Sequence, residues 1–289
     1  MGNRISDGLD VAVKVVSHNR LDKRIVRSIE NEVQALKKLD HPNVIKFYNF
    51  FEDRACFQIC MELVRGGELF DRISKKATYT EVEARECCRI ILGAIKHCHD
   101  KNVVHRDLKP ENLMMRSSED DYDILLVDFG LAGTVTDEDP YCLTGNIGTP
   151  AYMAPEIHFM QRYGKPVDMW AFGVITYILL AGYPPFSGTT HDLLLRRIKQ
   201  STFAFHPKSW DLVSNEAKDF ISKLLTVNVT QRLNVNEALR HPWVSIDGVV
   251  IDNISYTVLK TQITEFLCRI VFYFLVKSDT RTVRSPSFV

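Results

Sequence analysis

His105-Arg106-Asp107-Leu108-Lys109-Pro110-Glu111-Asn112 is the segment from which the rest of the chain can be read. It places an acid, a cation and an amide within six residues of a tight loop. Asp107 is suited to accept a hydroxyl proton, Lys109 to neutralise a transferring phosphoryl group, and Asn112 to hold a metal ion. Alone, eight such residues are a weak signal. They become a strong one if the flanking sequence supplies the remaining parts in order.

The chain has 289 residues and a formal net charge of +0, enough for one large domain or two small lobes. A neutral balance gives no reason to expect a nucleic-acid partner. The cysteine count of 7 is odd. Cys56/Cys60 and Cys87/Cys88 lack paired C-x-x-C spacing, so the thiols read as reduced side chains of an intracellular, cytoplasmic protein rather than zinc ligands. No apolar signal segment opens the chain. The longest apolar run, 270–276, is far too short to span a bilayer. Gly2 with Ser6 fits the N-myristoylation pattern if Met1 is the authentic start.

Residues 11–16 read as a strand with Val11, Val13 and Val15 on one face and Ala12, Lys14 and Val16 on the other. Ile25, Ile29, Val33, Leu36 and Leu39 recur at helical spacing, with Glu32 on the same helix. Asp40-His41-Pro42 ends it, because a residue before proline avoids the α region. A second apolar strand covers 56–63, and Gly66-Gly67 breaks it. A long helix over 82–99 delivers the chain to Val103-Val104 and the opening segment. Ile124-Leu125-Leu126-Val127 runs directly into Asp128-Phe129-Gly130. A long polar stretch over 131–153 closes at Ala154-Pro155-Glu156, and a loop of that length in a compact domain suggests function. The helix that begins at Val167-Asp168 is apolar nearly all round and therefore buried. A buried Asp168 needs hydrogen-bond donors, and the backbone of the loop at Asp107 is the natural supply.

Val-Ala-Val-Lys (ending at Lys14), Glu32, the His105–Asn112 loop, Asp128-Phe129-Gly130, Ala154-Pro155-Glu156, the Asp168 helix and Arg232 occur in the order of a eukaryotic protein kinase. The resemblance covers roughly 11–244. Lys109 with Thr149 is similar to the serine/threonine branch. Glu62 to Ile73 and Ala181 to Phe186 resemble the calcium/calmodulin-dependent kinase group. The resemblance implies an α+β, bilobal protein-kinase-like fold, with a truncated antiparallel β-sheet N-lobe and a mainly α-helical C-lobe. It divides the chain into an N-lobe over 1–64, a C-lobe over 65–244 and a tail over 245–289, with 11–244 as one catalytic domain.

The implied activity is transfer of the γ-phosphate of Mg-ATP to serine or threonine hydroxyls of protein substrates. Lys14, oriented by Glu32, would hold the non-transferred phosphates, and Asn112 and Asp128 the Mg2+. Asp107 would orient the attacking hydroxyl, and Lys109 would stabilise the γ-phosphate charge. Ala12 and Met114 would sandwich the adenine, backbone groups of Glu62 and Val64 would bond it, and Met61 would be the gatekeeper. Leu36, Phe47, His105 and Phe129 match the apolar column that aligns the lobes. Glu68 and Glu111 would pair with a substrate arginine, giving a preference for Ser/Thr near Arg or Lys. Arg232 would pair with Glu156. Arg106 implies control by activation-loop phosphorylation, with Thr144 as the acceptor for an upstream kinase and Thr136 and Tyr141 as weaker options.

Two features depart from the pattern. Ahead of Lys14, Gly2 and Gly8 stand at the wrong spacing for G-x-G-x-x-G-x-V, so the first strand, the glycine-rich loop and most of the second strand are expected to be missing. Either the chain is a truncated product, or it works without a phosphate lid, and an inactive kinase-fold scaffold is the competing function. In the tail, 258–276 is apolar but has few basic residues, so calmodulin binding is weakly supported and a packing helix is the preferred reading. Ser287-Phe288-Val289 is a further candidate for strand addition to a carboxylate-binding domain.

Overall fold

The computed structural model describes residues 2–3, 8–18, 22–76 and 79–245. The expectations for the calmodulin segment, the terminal Ser287-Phe288-Val289 and Ser6 of the myristoylation pattern lie outside these residues. The smaller, N-terminal part is built from β1 (Gly2–Asn3), β2 (Asp10–Ser17), α1 (Lys23–Lys38), β3 (Phe47–Glu52) and β4 (Cys56–Glu62). The strands form one antiparallel sheet in the order β1-β2-β4-β3.

The remainder contains α2 (Leu69–Lys75), α3 (Glu81–Asp100), β5 (Val103–Val104), a 3-10 turn (Pro110–Asn112), β6 (Leu113–Met115), β7 (Ile124–Leu126) and β8 (Gly133–Thr134). These are followed by α4 (Pro155–His158), α5 (Pro166–Ala181), α6 (His191–Lys199), α7 (Pro207–Trp210), α8 (Asn215–Leu224), α9 (Val235–Arg240) and α10 (Pro242–Ser245). Two small antiparallel pairs, β5-β8 and β6-β7, lie among these helices. The arrangement is the α+β one anticipated, a small sheet with one helix beside a mainly helical part.

α5 is the central rod. Val167 through Ala181 are all buried, as its uniformly apolar sequence requires. Gly182 stops it in the left-handed region, at φ 78°, where a Cβ would be strained, ahead of the Pro184-Pro185 pair. α3 starts on a capping box, in which the Thr80 side chain accepts from Glu83 N–H and Glu83 accepts from Thr80 N–H. Together α3 and α5 support the loop at Asp107 from beneath.

Burial is uneven along two of these faces. Ile29, Val33, Leu36 and Leu39 are buried along α1, whereas Ile25, in its first turn, is exposed. On β2, Val11 is buried while Val15 is 60% exposed. The edge beside β2 is also not wholly bare. Gly2–Asn3 pairs with Asp10 and Val11, leaving Ala12 to Ser17 with β4 as their partner strand.

Candidate active site

The strand β2 carries Lys14 opposite Ile59 of β4. Its ammonium donates to both carboxylate oxygens of Glu32, at 2.9 and 2.8 Å. Burial raises the Glu32 pKa, Lys14 opposes that rise, and the nearby Asp128 charge adds to it. The three groups converge at Gly130, where a β-carbon would stand 3.1 Å from Asp128 Oδ1, 3.5 Å from Glu32 Oε2 and 3.6 Å from Lys14 Nζ. Ser28 of α1 donates to the Gly130 carbonyl at 2.7 Å, fastening the helix that bears Glu32 to this turn.

Asp107 is buried, and each of its oxygens has a partner. Lys109 Nζ lies 2.6 Å from Oδ2, while Thr149 donates to Oδ1 through its hydroxyl at 2.7 Å and its N–H at 2.9 Å. Lys109 also donates to the Thr149 hydroxyl at 3.2 Å. Asn112 Nδ2 donates to the Asp107 carbonyl at 2.8 Å, which turns the amide oxygen away from that carbonyl. Asp128 is exposed and holds φ 59°, and Arg106 holds φ 68°. Non-glycine residues at such angles carry backbone strain that the surrounding contacts must sustain.

The strain at Arg106 has an identifiable restraint. Asp168 of α5, 1% exposed, accepts from the backbone N–H of His105 and of Arg106, each at 2.9 Å, and stands 2.9 Å from His99 Nε2. Burial would push its carboxyl up, but His99 and these backbone donors outweigh that and hold it below the ordinary value. Phe129 packs edge-on to His105 at 4.8 Å between ring centroids, and Leu36 and Phe129 are both 1% exposed. Phe47 is half-buried against the same core. The whole loop is thus held from the rod below and capped by the Phe129 ring.

A family model described as the protein kinase domain matches residues 2–244. The chain belongs to the protein kinase family. It is 42% identical over 259 residues to a calcium/calmodulin-dependent protein kinase type 1 of Macrobrachium nipponense, covering 88% of this chain and 74% of that one. It is 43% identical over 232 residues to myosin light chain kinase A of Dictyostelium discoideum, covering 80% and 78%. The match to the calcium/calmodulin-dependent protein kinase type II subunit delta of Oryctolagus cuniculus is 41% over 242 residues, 84% of this chain and 45% of that one. The protein is a serine/threonine kinase similar to the calcium/calmodulin-dependent kinases.

In this kinase the expected adenine-binding residues surround the junction of the two parts. Ala12 stands directly opposite Met61 in the sheet, and Met114 bridges to Glu68. Ala12, Met61, Val64 and Met114 are each half-buried. The Glu62 N–H is taken by the Lys46 carbonyl at 2.9 Å, whereas Val64 makes no backbone hydrogen bond among the described residues. The Glu62 side chain is held by Arg116, which also donates to Asp123 at 3.0 Å and to the Pro42 carbonyl. Sequence reading missed Arg116, because two partners distant in sequence, Glu62 and Pro42, give a lone arginine its role.

Glu68 and Glu111 are close enough for each charge to be felt. Burial, then Asp71, then Glu111 raise the Glu68 pKa. Glu111 Oε2 is buried without a hydrogen-bond partner, as is the Tyr152 hydroxyl, whose pKa is raised by burial and by the Glu111 and Asp107 charges. Arg106 donates to the carbonyls of Leu131 at 2.5 Å and Ala132 at 3.0 Å, reaching the start of the segment after Gly130. Thr144, Thr136 and Tyr141 are exposed. Glu156 and Arg232 form a buried two-pronged pair at 2.7 and 2.9 Å. Among the described residues, no cluster of three or more His, Cys, Asp or Glu could hold a metal, and no helix is long and apolar enough to cross a membrane.

Proposed function

We propose that this kinase transfers the γ-phosphate of Mg-ATP to serine or threonine hydroxyls near basic residues, using Asp107, Lys109, Lys14 and Glu32. The observation that carries this reading is the closed Lys14–Glu32 ion pair converging with Asp128 on Gly130. The donor set fits the metal. Asn112 and Asp128 present oxygen atoms, which suit Mg2+, an ion that takes few protein ligands and completes its shell with phosphate and water. When bound, Mg2+ supplies neutralisation of phosphate charge.

The protein's own groups do the rest. Lys14, aimed by Glu32, binds the non-transferred phosphates. Asp107 orients the acceptor hydroxyl and takes up its proton, and the Thr149 hydroxyl on Oδ1 illustrates that the carboxylate can receive such a donor. Lys109, 2.6 Å from Asp107, balances charge at the transferring group. Ala12 and Met114 hold the adenine between them, with Met61 behind it and the carbonyl of Glu62 and backbone of Val64 along its edge. The carboxylates of Glu68 and Glu111 receive a substrate guanidinium.

Thr144 is the proposed site of an upstream kinase, with Arg106 receiving its phosphate. Calmodulin is a proposed partner by likeness to relatives of that name. The test is phosphorylation of an Arg-x-x-Ser peptide with Mg-ATP, comparing the wild type with Asp128→Ala. Activity in the first and its loss in the second is expected. Equal signals from both would leave the kinase-fold scaffold as the better reading.

A further inference from the structure

A second recessed site lies on the helical part, away from Asp107. It is an open groove of about 550 Å³ between the end of α5, the turn that follows it, α6, and the segment leading into α7. That volume falls within the range of ordinary ligand sites. Tyr177 lies nine residues beyond Asp168 on α5, about 14 Å along the axis at the usual rise per residue.

The walls are aromatic and already satisfied. Tyr177 donates its hydroxyl to the Ala204 carbonyl at 2.7 Å, and the Trp210 indole donates to the Tyr183 hydroxyl at 3.1 Å. The Tyr177 ring stands 5.6 Å from Tyr183 and 6.1 Å from Phe203. Their polar handles are therefore spent internally, and the groove is offered ring faces and the Pro184-Pro185 wall. Its rim carries Arg197, His206 and Lys208, and no carboxylate lines it. Arg197 is anchored by donation to the Ser187 carbonyl at 2.6 Å, whereas Lys208 has no carboxylate partner among the described residues.

We infer that this groove is a docking site for an acidic peptide segment of a partner protein that carries an aromatic side chain. The aromatic ring packs against Tyr183 and Phe203, where offset and edge-on contacts are favourable. Flanking carboxylates face Lys208 and Arg197, and an arginine already held in place loses little freedom on pairing. Charge complementarity selects an anionic occupant, and the groove's openness to the surface suits a peptide chain. Such docking would tether a protein on the kinase independently of the residues around its phosphoacceptor.

The test is fluorescence anisotropy with fluorescein-labelled Asp-Glu-Phe-Asp-Glu-amide on the full chain. The comparison peptides are Asn-Gln-Phe-Asn-Gln-amide and Asp-Glu-Ala-Asp-Glu-amide. The variants are Lys208→Glu and Ala204→Trp, both at exposed positions, the second filling the groove with a bulky ring. Saturable binding of the acidic aromatic peptide is expected, weakened by roughly tenfold or more in Lys208→Glu and abolished in Ala204→Trp. Either comparison peptide should bind about tenfold more weakly or worse. Phosphorylation of a short Arg-x-x-Ser peptide should be unchanged in both variants. No binding to the wild type, wild-type affinity in either variant, or equal binding of the comparison peptides would overturn the proposal. Binding of phenyl phosphate as tight as that of the peptide would also overturn it, because the site would then serve a small anion. The readout is binding, so it stands whether or not the chain transfers phosphate.

Discussion

The Thr149 hydroxyl donates to Asp107 Oδ1 across 2.7 Å, and the Thr149 N–H reinforces it at 2.9 Å. A residue 42 positions later in the chain therefore sets the orientation of the proposed catalytic carboxylate. Thr149→Val removes the hydroxyl and keeps the shape. The expected result is a fall in kcat of about tenfold, equal to about 1.4 kcal/mol, with KM for ATP unchanged. Thr149→Ser should stay near wild type. Steady-state kinetics on both variants checks this, and a wild-type kcat in Thr149→Val would remove Thr149 from the site.

Asp168 satisfies two backbone N–H groups and His99 from a fully buried position. Its folded pKa is depressed, so its contribution to stability is present above the unfolded value and is lost as pH falls through the folded one. Asp168→Ala would strand these donors and release the strained Arg106. A loss of about 3–5 kcal/mol is expected, read from urea denaturation midpoints. A loss below about 1 kcal/mol would mean that the loop does not depend on this carboxylate.

Glu32 is shifted the other way. Its raised pKa means that the Lys14 ion pair is lost, as pH falls, earlier than it would be for an exposed glutamate. The acid limb of kcat/KM should therefore lie above the ordinary glutamate range. Glu32→Gln should lower kcat/KM by about 10²-fold and erase that limb. Because the raised pKa makes the ionised form costly to bury, the same variant should be no less stable than wild type at neutral pH. Persistence of the limb in Glu32→Gln would assign it to another group.

Glu111→Gln should raise KM for an Arg-x-x-Ser peptide by about ten- to a hundredfold and leave an Ala-x-x-Ser peptide unaffected. The proposed recognition also uses the carboxylate form of Glu68. Its raised pKa predicts that the preference for arginine weakens as pH falls, again above the ordinary glutamate range. Peptide-array phosphorylation at several pH values tests both statements, and equal KM changes for the two peptides would argue for a structural role.

The thiols divide by burial. Burial pushes Cys87 up to about 11 and Cys88 and Cys98 higher still. In the native protein these three should resist iodoacetamide at pH 8, while the half-buried Cys56 and Cys142 react first. Peptide mass spectrometry after timed alkylation reads the order. Early labelling of Cys88 would indicate opening of the α3–α5 interface.

The sequence by itself determined the family, the order of the elements and the identity of the chemical groups. Each of these is written in local patterns, such as the apolar Val167–Ala181 run that forces burial of α5, or the His105–Asn112 loop. It also required a donor for Asp168, since a buried carboxylate cannot stand unpaired. It did not determine which groups would meet. The convergence of Lys14, Glu32 and Asp128 at Gly130, the seat of Thr149 on Asp107, and the grip of Arg116 on Glu62 and Pro42 join residues well separated in the chain. The groove at Tyr183 was invisible for the same reason, since its aromatic wall and cationic rim come from four separate segments. Periodicity and turn chemistry act over a few residues, whereas these contacts exist only once the sheet, α3 and α5 have packed.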